Sequence, residues 1–185
     1  DPDNREQIGL DGTINYIQGL GLEPEDRRAL ILAFILDSPS MGIFRHESFV
    51  SYWTSQNAYT LPDMRGLLDR FEDELKSETG YIKLKQLYRY SFGFIIEKNQ
   101  TTIDSDIAID YWELLLEDRF PEKIPIWCEF VKLAKKGGIS KDVWNMFLDF
   151  LIQYKDDNTY DNWDPMAAWP NIIDEFVSYC RKDTI

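Results

Sequence analysis

One histidine, His46, and two cysteines, Cys128 and Cys180, are the side chains in this 185-residue sequence best suited to nucleophilic or metal chemistry. Two cysteines and one histidine cannot complete a four-ligand structural zinc site, and neither cysteine has a CxxC neighbour. A thiol relay would need a cysteine of low pKa beside a cation or a helix N-terminus. Both cysteines instead fall in apolar helical patterns, IWCEF and VSYCRK, the setting of reduced core thiols. His46 lies in the polar stretch FRHESF and reads as an exposed helix-start residue. Paired carboxylates are abundant, but in a chain this acidic they single out nothing. Glycine-rich phosphate loops are absent. These residue types predict a protein with no catalytic residue of its own and no cofactor.

Calcium is the other chemistry to weigh, because two polar loops precede helices within the first 50 residues. Asp1, Asp3 and Ile8 match positions one, three and eight of a helix–loop–helix calcium loop, and Asp37, Gly42 and Phe44 match positions one, six and eight of a second. A working loop also needs oxygen donors at several further positions and a bidentate Glu at position twelve. The first loop has Arg5 and Gly12 instead, and the second has Pro39, Met41 and Ser48. The expectation is an architecture without metal, in which Ile8 and Phe44 join the two loops by backbone pairing.

A chain of this length with 44% hydrophobic and 15% aromatic residues can bury a substantial core, as one domain or two packed halves. Its net charge of −13 argues against sequence-independent nucleic-acid binding, which depends on Lys and Arg replacing counterions. A basic protein surface is the better partner, since complementary charge speeds encounter. No apolar run of about 18 residues is present to span a bilayer, and no basic-then-apolar stretch opens the chain. No membrane association is expected, and an intracellular home, nuclear or cytoplasmic, suits the reduced cysteines. The sequon Asn99-Gln100-Thr101 is discounted as a chance triplet. A start at Asp1 rather than a methionine suggests a piece of a longer protein.

Helical periodicity runs through nearly the whole chain, so the fold class is all-α with about nine helices. After a loop at residues 1–10, Ile14 and Ile17 recur at helical spacing until Gly19 and Gly21 stop the first helix. Pro24 is expected to open a second, whose segment RRALILAFIL is apolar all round and ends at Asp37-Ser38-Pro39-Ser40. Further helices are expected near 46–56, 61–76, 82–97, 105–117, 122–136, 141–154 and 170–181. Ser140 is a good N-cap, and Pro170 suits a first-turn position. Residues 155–169 are polar and acidic yet carry Tyr160, Trp163 and Trp169, which predicts an ordered loop packed on the body.

Three segments in the C-terminal half, IAIDYWELLLEDRF (107–120), ISKDVWNMFLDF (139–150) and AAWPNIIDEFVSYC (167–180), together resemble the cullin-binding PONY domain of the defective-in-cullin-neddylation family. The opening GLDGTINYIQGLGLEPED and the segment FRHESFVSYW fit the same family, so the resemblance spans nearly the whole chain in order. It implies two EF-hand-like halves without metal ligands, residues 1–100 and a cullin-binding half 101–185. The implied role is a scaffold-type ligase that holds a cullin C-terminal subdomain and the modifier-conjugating enzyme together, with a second reading as an acidic helical adaptor for another basic protein.

The family's cullin-binding Asp, Ala and Asp fall on Asp142, Ala168 and Asp174. Read from the residues alone, Asp142 is a favourable first-turn charge, Asp174 a solvated helix residue and Ala168 a close-packing one. The family's pocket for the acetylated N-terminal methionine of the conjugating enzyme, with walls from both halves, falls on Leu32, Phe44, Phe94, Tyr111 and Leu114. Without the resemblance these five read as plain core residues. Thr13 and Ala29 stand where bulkier apolar side chains would be expected.

Overall fold

The computed structural model describes residues 6–134 and 137–182. These hold nine α-helices and two short sheets, and divide into two compact units, residues 1–95 and 96–185. Asp1, Asp3 and Arg5 of the first expected loop lie outside the described residues, as do positions 135–136 at the end of one expected helix.

Unit 1 runs β1 (Gln7–Ile8), α1 (Leu10–Gly19), α2 (Arg27–Ile35), β2 (Phe44–Arg45), α3 (His46–Ser55), α4 (Leu61–Lys76) and α5 (Tyr81–Ile95). β1 pairs antiparallel with β2, Ile8 opposite Phe44, as the loop spacing predicts. The α1 stop is also as expected: Gly21 turns at φ 70°, and Leu22 N reaches back to Ile17 O at 3.2 Å. The α2 start differs from expectation. Pro24 lies within a turn in which Asp26 N donates to Glu23 O, and Asp26 rather than Pro24 begins the helix, its carboxylate accepting from Arg28 N at 2.8 Å. A side-chain acceptor that satisfies a first-turn N–H outweighs the fixed φ of proline. α4 opens on a capping box, Thr60 Oγ1 accepting from Asp63 N and Asp63 Oδ2 from Thr60 N.

The five consecutive residues Ala29–Ala33 of α2 are all buried, so this helix is enclosed within its unit. It is tied to α4 by a charged network. Arg27 meets Glu72 at 2.8 Å, and Arg28 meets Asp26 at 2.6 Å and Asp69 at 2.8 Å.

Unit 2 runs β3 (Thr102–Ile103), α6 (Ser105–Leu116), α7 (Ile124–Ala134), β4 (Ile139–Ser140), α8 (Lys141–Gln153) and α9 (Asn171–Lys182). β3 and β4 pair antiparallel with Ile103 opposite Ile139, a bridge that repeats the Ile8–Phe44 device and that sequence patterning did not predict. Gly138 belongs to that close approach, since a Cβ there would lie 2.6 Å from Thr102 Oγ1. Pro170 falls just outside α9, with its carbonyl accepting from Ile173 N at 2.8 Å, so it flanks the helix instead of occupying its first turn.

The core of unit 2 is aromatic. Trp112 stacks on Trp144 at 5.5 Å and meets Trp127 edge-on, while Trp127 stacks on Phe147 at 4.0 Å and meets Phe176 at 5.1 Å. All five are fully buried. The 155–169 segment packs on this core as expected. Tyr160 stacks on Phe150 at 5.6 Å, and Phe150 also meets Trp163 and Trp169.

Candidate functional site: an acidic edge of unit 2

β4 leads directly into α8, so the bridge to β3 fixes where that helix begins. Ser140 caps it, Oγ accepting from Val143 N at 3.3 Å, and Asp142 is exposed in the first turn. A carboxylate there is favoured by the helix dipole whatever else it does.

Ala168 is exposed on an ordered turn. Asp164 Oδ1 accepts from Met166 N at 2.9 Å, Asp164 O from Ala167 N at 3.1 Å, and Ala167 O from Trp169 N at 2.8 Å. On one side of Ala168, Met166 projects into solvent at 89% exposure. On the other, Trp169 is half-buried against Phe150 and stacked on Trp163. A small residue is thus presented on a surface that the indoles hold still.

Asp174 occupies the first turn of α9, whose Ile172, Ile173, Phe176 and Val177 are buried. Its carboxylate is half-buried, and Oδ1 is withdrawn from solvent without a hydrogen-bond partner. Asn145 Oδ1, one turn along α8 from Asp142, is likewise buried and unpaired. Buried acceptors normally find donors. No hydrogen bond or ion pair joins Asp142, Ala168 and Asp174 to one another among the described residues.

The five residues expected along the apolar pocket are spread over both units. In unit 1, Leu32 and Phe44 are core, at 0% and 2% exposure, while Phe94 is half-buried and stacked on Tyr90 at 5.7 Å. In unit 2, Tyr111 and Leu114 are half-buried on α6, and burial raises the Tyr111 hydroxyl pKa, with Asp110 adding to the shift. Thr13 and Ala29 are buried, and the Thr13 hydroxyl has no partner.

His46 is exposed at the first residue of α3. Burial, reinforced by Glu113, pushes the Cys128 thiol up to about 12, the opposite of an activated nucleophile. Cys180 is half-buried rather than a core residue as expected, because it lies at the margin of the buried face of α9. The two cysteines are not joined in a disulfide. Among the described residues no group of three or more His, Cys, Asp or Glu side chains is placed to hold a metal ion. In the second expected calcium loop Asp37 is exposed beside Arg45 at 3.6 Å, and the Ser38 hydroxyl lies within hydrogen-bond distance of Ser40 O and Ile43 O. That loop is organised by a serine. No described helix is long and apolar enough to cross a membrane.

Comparison with known proteins converges on one family. The family model described as cullin binding matches residues 63–179, a span that includes Asp142, Ala168 and Asp174. The chain is 34% identical to Defective in cullin neddylation protein 1 of Yarrowia lipolytica over 177 residues, covering 96% of this chain and 72% of that one. It is 32% identical to the protein of the same name from Saccharomyces cerevisiae, covering 97% and 68% of the two chains. With human DCN1-like protein 4 the identity is 33%, covering 94% and 58%.

Proposed function

The chain belongs to the cullin-binding family of defective-in-cullin-neddylation proteins, and from that membership we propose that it is a non-catalytic scaffold for cullin neddylation. It binds the C-terminal subdomain of a cullin through Asp142, Ala168 and Asp174, and it engages the modifier-conjugating enzyme through that enzyme's acetylated N-terminal methionine. Holding both reactants in a productive geometry lowers the entropic part of the transfer barrier, by up to about 7–11 kcal/mol in ideal cases.

The observation that supports the cullin contact is a pair of first-turn carboxylates in unit 2, Asp142 exposed on α8 and Asp174 half-buried on α9. A Lys or Arg donor from a partner makes a charge-assisted hydrogen bond to such a carboxylate, about twice as strong as a neutral one. Exposed Ala168 lets such a side chain approach closely, Asp142 supplies a second carboxylate, and the net charge of −13 assists encounter.

Of the residues expected for the conjugating enzyme, Leu32 and Phe44 are enclosed in the core of unit 1, which leaves the half-buried Phe94, Tyr111 and Leu114 as the apolar side chains open to a partner. Acetylation matters because a free α-amino group, with a pKa of about 7.7–8.0, is mostly charged at neutral pH and would be buried unpaired.

The test is capture of a purified cullin C-terminal fragment at moderate salt by the wild type, Asp142→Lys and Asp174→Lys. Both variants should retain helical circular dichroism and lose at least about thirtyfold in affinity, the lower end of the roughly 2–5 kcal/mol lost when one member of a desolvated charge pair goes. Unchanged binding by both variants would place the cullin contact elsewhere on the molecule, and failure of the wild type to bind would favour an acidic adaptor for a different basic protein.

A further inference from the structure

Lys123, in the turn before α7, is only 4% exposed. Lysine is almost never so buried without a close partner. Here the hydrogen bonds go to neutral acceptors: Nζ donates to Asp157 O at 2.8 Å and to Asn158 Oδ1 at 2.7 Å, and it lies 4.8 Å over the Tyr160 ring. Burial lowers its pKa, against the opposing field of Asp157 and other acidic neighbours. All three contacts fall on one stretch, residues 157–160, within the ordered 155–169 segment.

That stretch has a conformation that needs holding. Tyr160 is buried at φ 56°, a left-handed backbone that a bulky side chain adopts only under constraint from its surroundings. Its N–H donates to Asp157 Oδ1 at 2.7 Å, its carbonyl accepts from the Arg181 guanidinium, and Asn158 Nδ2 donates to Glu122 Oε2. From Tyr160 the contacts run on through Phe150 to Trp169, the residue after Ala168. A methionine of similar length would fill the same space without desolvating a charge, so what the ammonium adds is a choice among loop conformations.

We propose that Lys123 is a positioning residue for cullin recognition, whose buried ammonium holds the 155–169 segment in the conformation that presents Ala168. The inference rests on the cullin-binding reading above. It places no partner contact on Lys123 itself; the lysine raises the fraction of molecules whose acidic edge is ready to bind.

Lys123→Met tests it. With the competent fraction reduced to about a tenth, the Kd for a cullin C-terminal fragment should rise about tenfold while helical circular dichroism is kept. Amide hydrogen exchange across 155–169 should quicken. Double-mutant cycles separate positioning from general destabilisation: Lys123→Met should be non-additive with Trp169→Leu, which acts on the same segment, and additive with Asp142→Asn on α8. A merely structural role would be additive with both. If Lys123→Met does not fold, Asn158→Ala removes one acceptor at an exposed position and should show the same effects in smaller measure. Wild-type affinity together with wild-type exchange overturns the assignment. Failure of the wild type to bind overturns the cullin reading and this assignment with it, whereas wild-type binding with an indifferent Lys123→Met overturns the assignment alone.

Discussion

Both units join a pair of loops through a two-residue antiparallel bridge, Ile8 with Phe44 in unit 1 and Ile103 with Ile139 in unit 2, and both pack aromatic rings nearby, but unit 1 adds a charged network between two of its helices. In unit 1, α2 is tied to α4 by arginines set against carboxylates. In unit 2, α6, α7, α8 and α9 converge on stacked indole and phenyl rings. Ion pairs respond to pH and salt, whereas a dry aromatic core does not. The aromatic core of unit 2 thus depends less on ionic conditions than the α2–α4 network of unit 1 does.

The sharpest way to break this comparison is to cut the aromatic core. Trp127 is fully buried and touches Trp112, Phe147 and Phe176 at once. Trp127→Ala should cost about 3–5 kcal/mol in chemical denaturation, through lost burial and the cavity left behind. A loss below about 1 kcal/mol would mean that the neighbouring rings collapse into the space, and that the core is not the rigid body its stacking implies.

A smaller effect is expected from the charged network of unit 1. The Arg28 side chain is 22% exposed and its partners Asp26 and Asp69 are 25% and 47% exposed, intermediate between a surface pair and a buried one. Arg28→Met should cost about 1–2 kcal/mol at neutral pH. The hydrogen bond to Arg28, with lesser help from the Arg28 backbone N–H and from charge, holds the Asp26 carboxyl below its ordinary value despite some desolvation. A carboxylate whose folded pKa is depressed contributes stability above its unfolded pKa of about 3.9 and loses it as pH falls through the lower folded value. The gap between wild type and Arg28→Met should narrow as pH drops from 7 toward about 3. A gap constant with pH would show that Arg28 contributes by packing its stem instead.

The same contrast explains what could be read from the sequence. Helix ends that depend on local chemistry were legible: Ser140 as a cap, Gly19 and Gly21 as a stop, and the loop spacing that pairs Ile8 with Phe44. Pro24 misled because the helix after it starts at the Asp26 cap, and Pro170 because it stands just before α9 and contributes its carbonyl instead of a first-turn residue. The second bridge escaped notice because two residues are too short for strand alternation, and Thr102-Ile103 carries no loop signature. At the acidic edge, the exposed first-turn place of Asp142 follows from Ser140. The burial of Lys123 does not follow from any local pattern, because it arises from a segment 34 to 35 residues away closing around the side chain.

The smallest prediction sets one helix cap in each unit against the other. Thr60 caps α4 and Ser140 caps α8, each accepting a first-turn backbone N–H at 3.3 Å. Thr60→Ala and Ser140→Ala should therefore each cost about 1 kcal/mol in thermal denaturation. Their effects on cullin binding should diverge. Fraying the first turn of α8 moves Asp142, so Ser140→Ala should weaken capture of the cullin fragment a few-fold, whereas Thr60→Ala, in the other unit, should leave it unchanged. Equal weakening by both would mean that binding follows overall stability and not the geometry of one edge. Loss with Ser140→Ala alone would show that a single turn of unit 2 is part of the recognition surface.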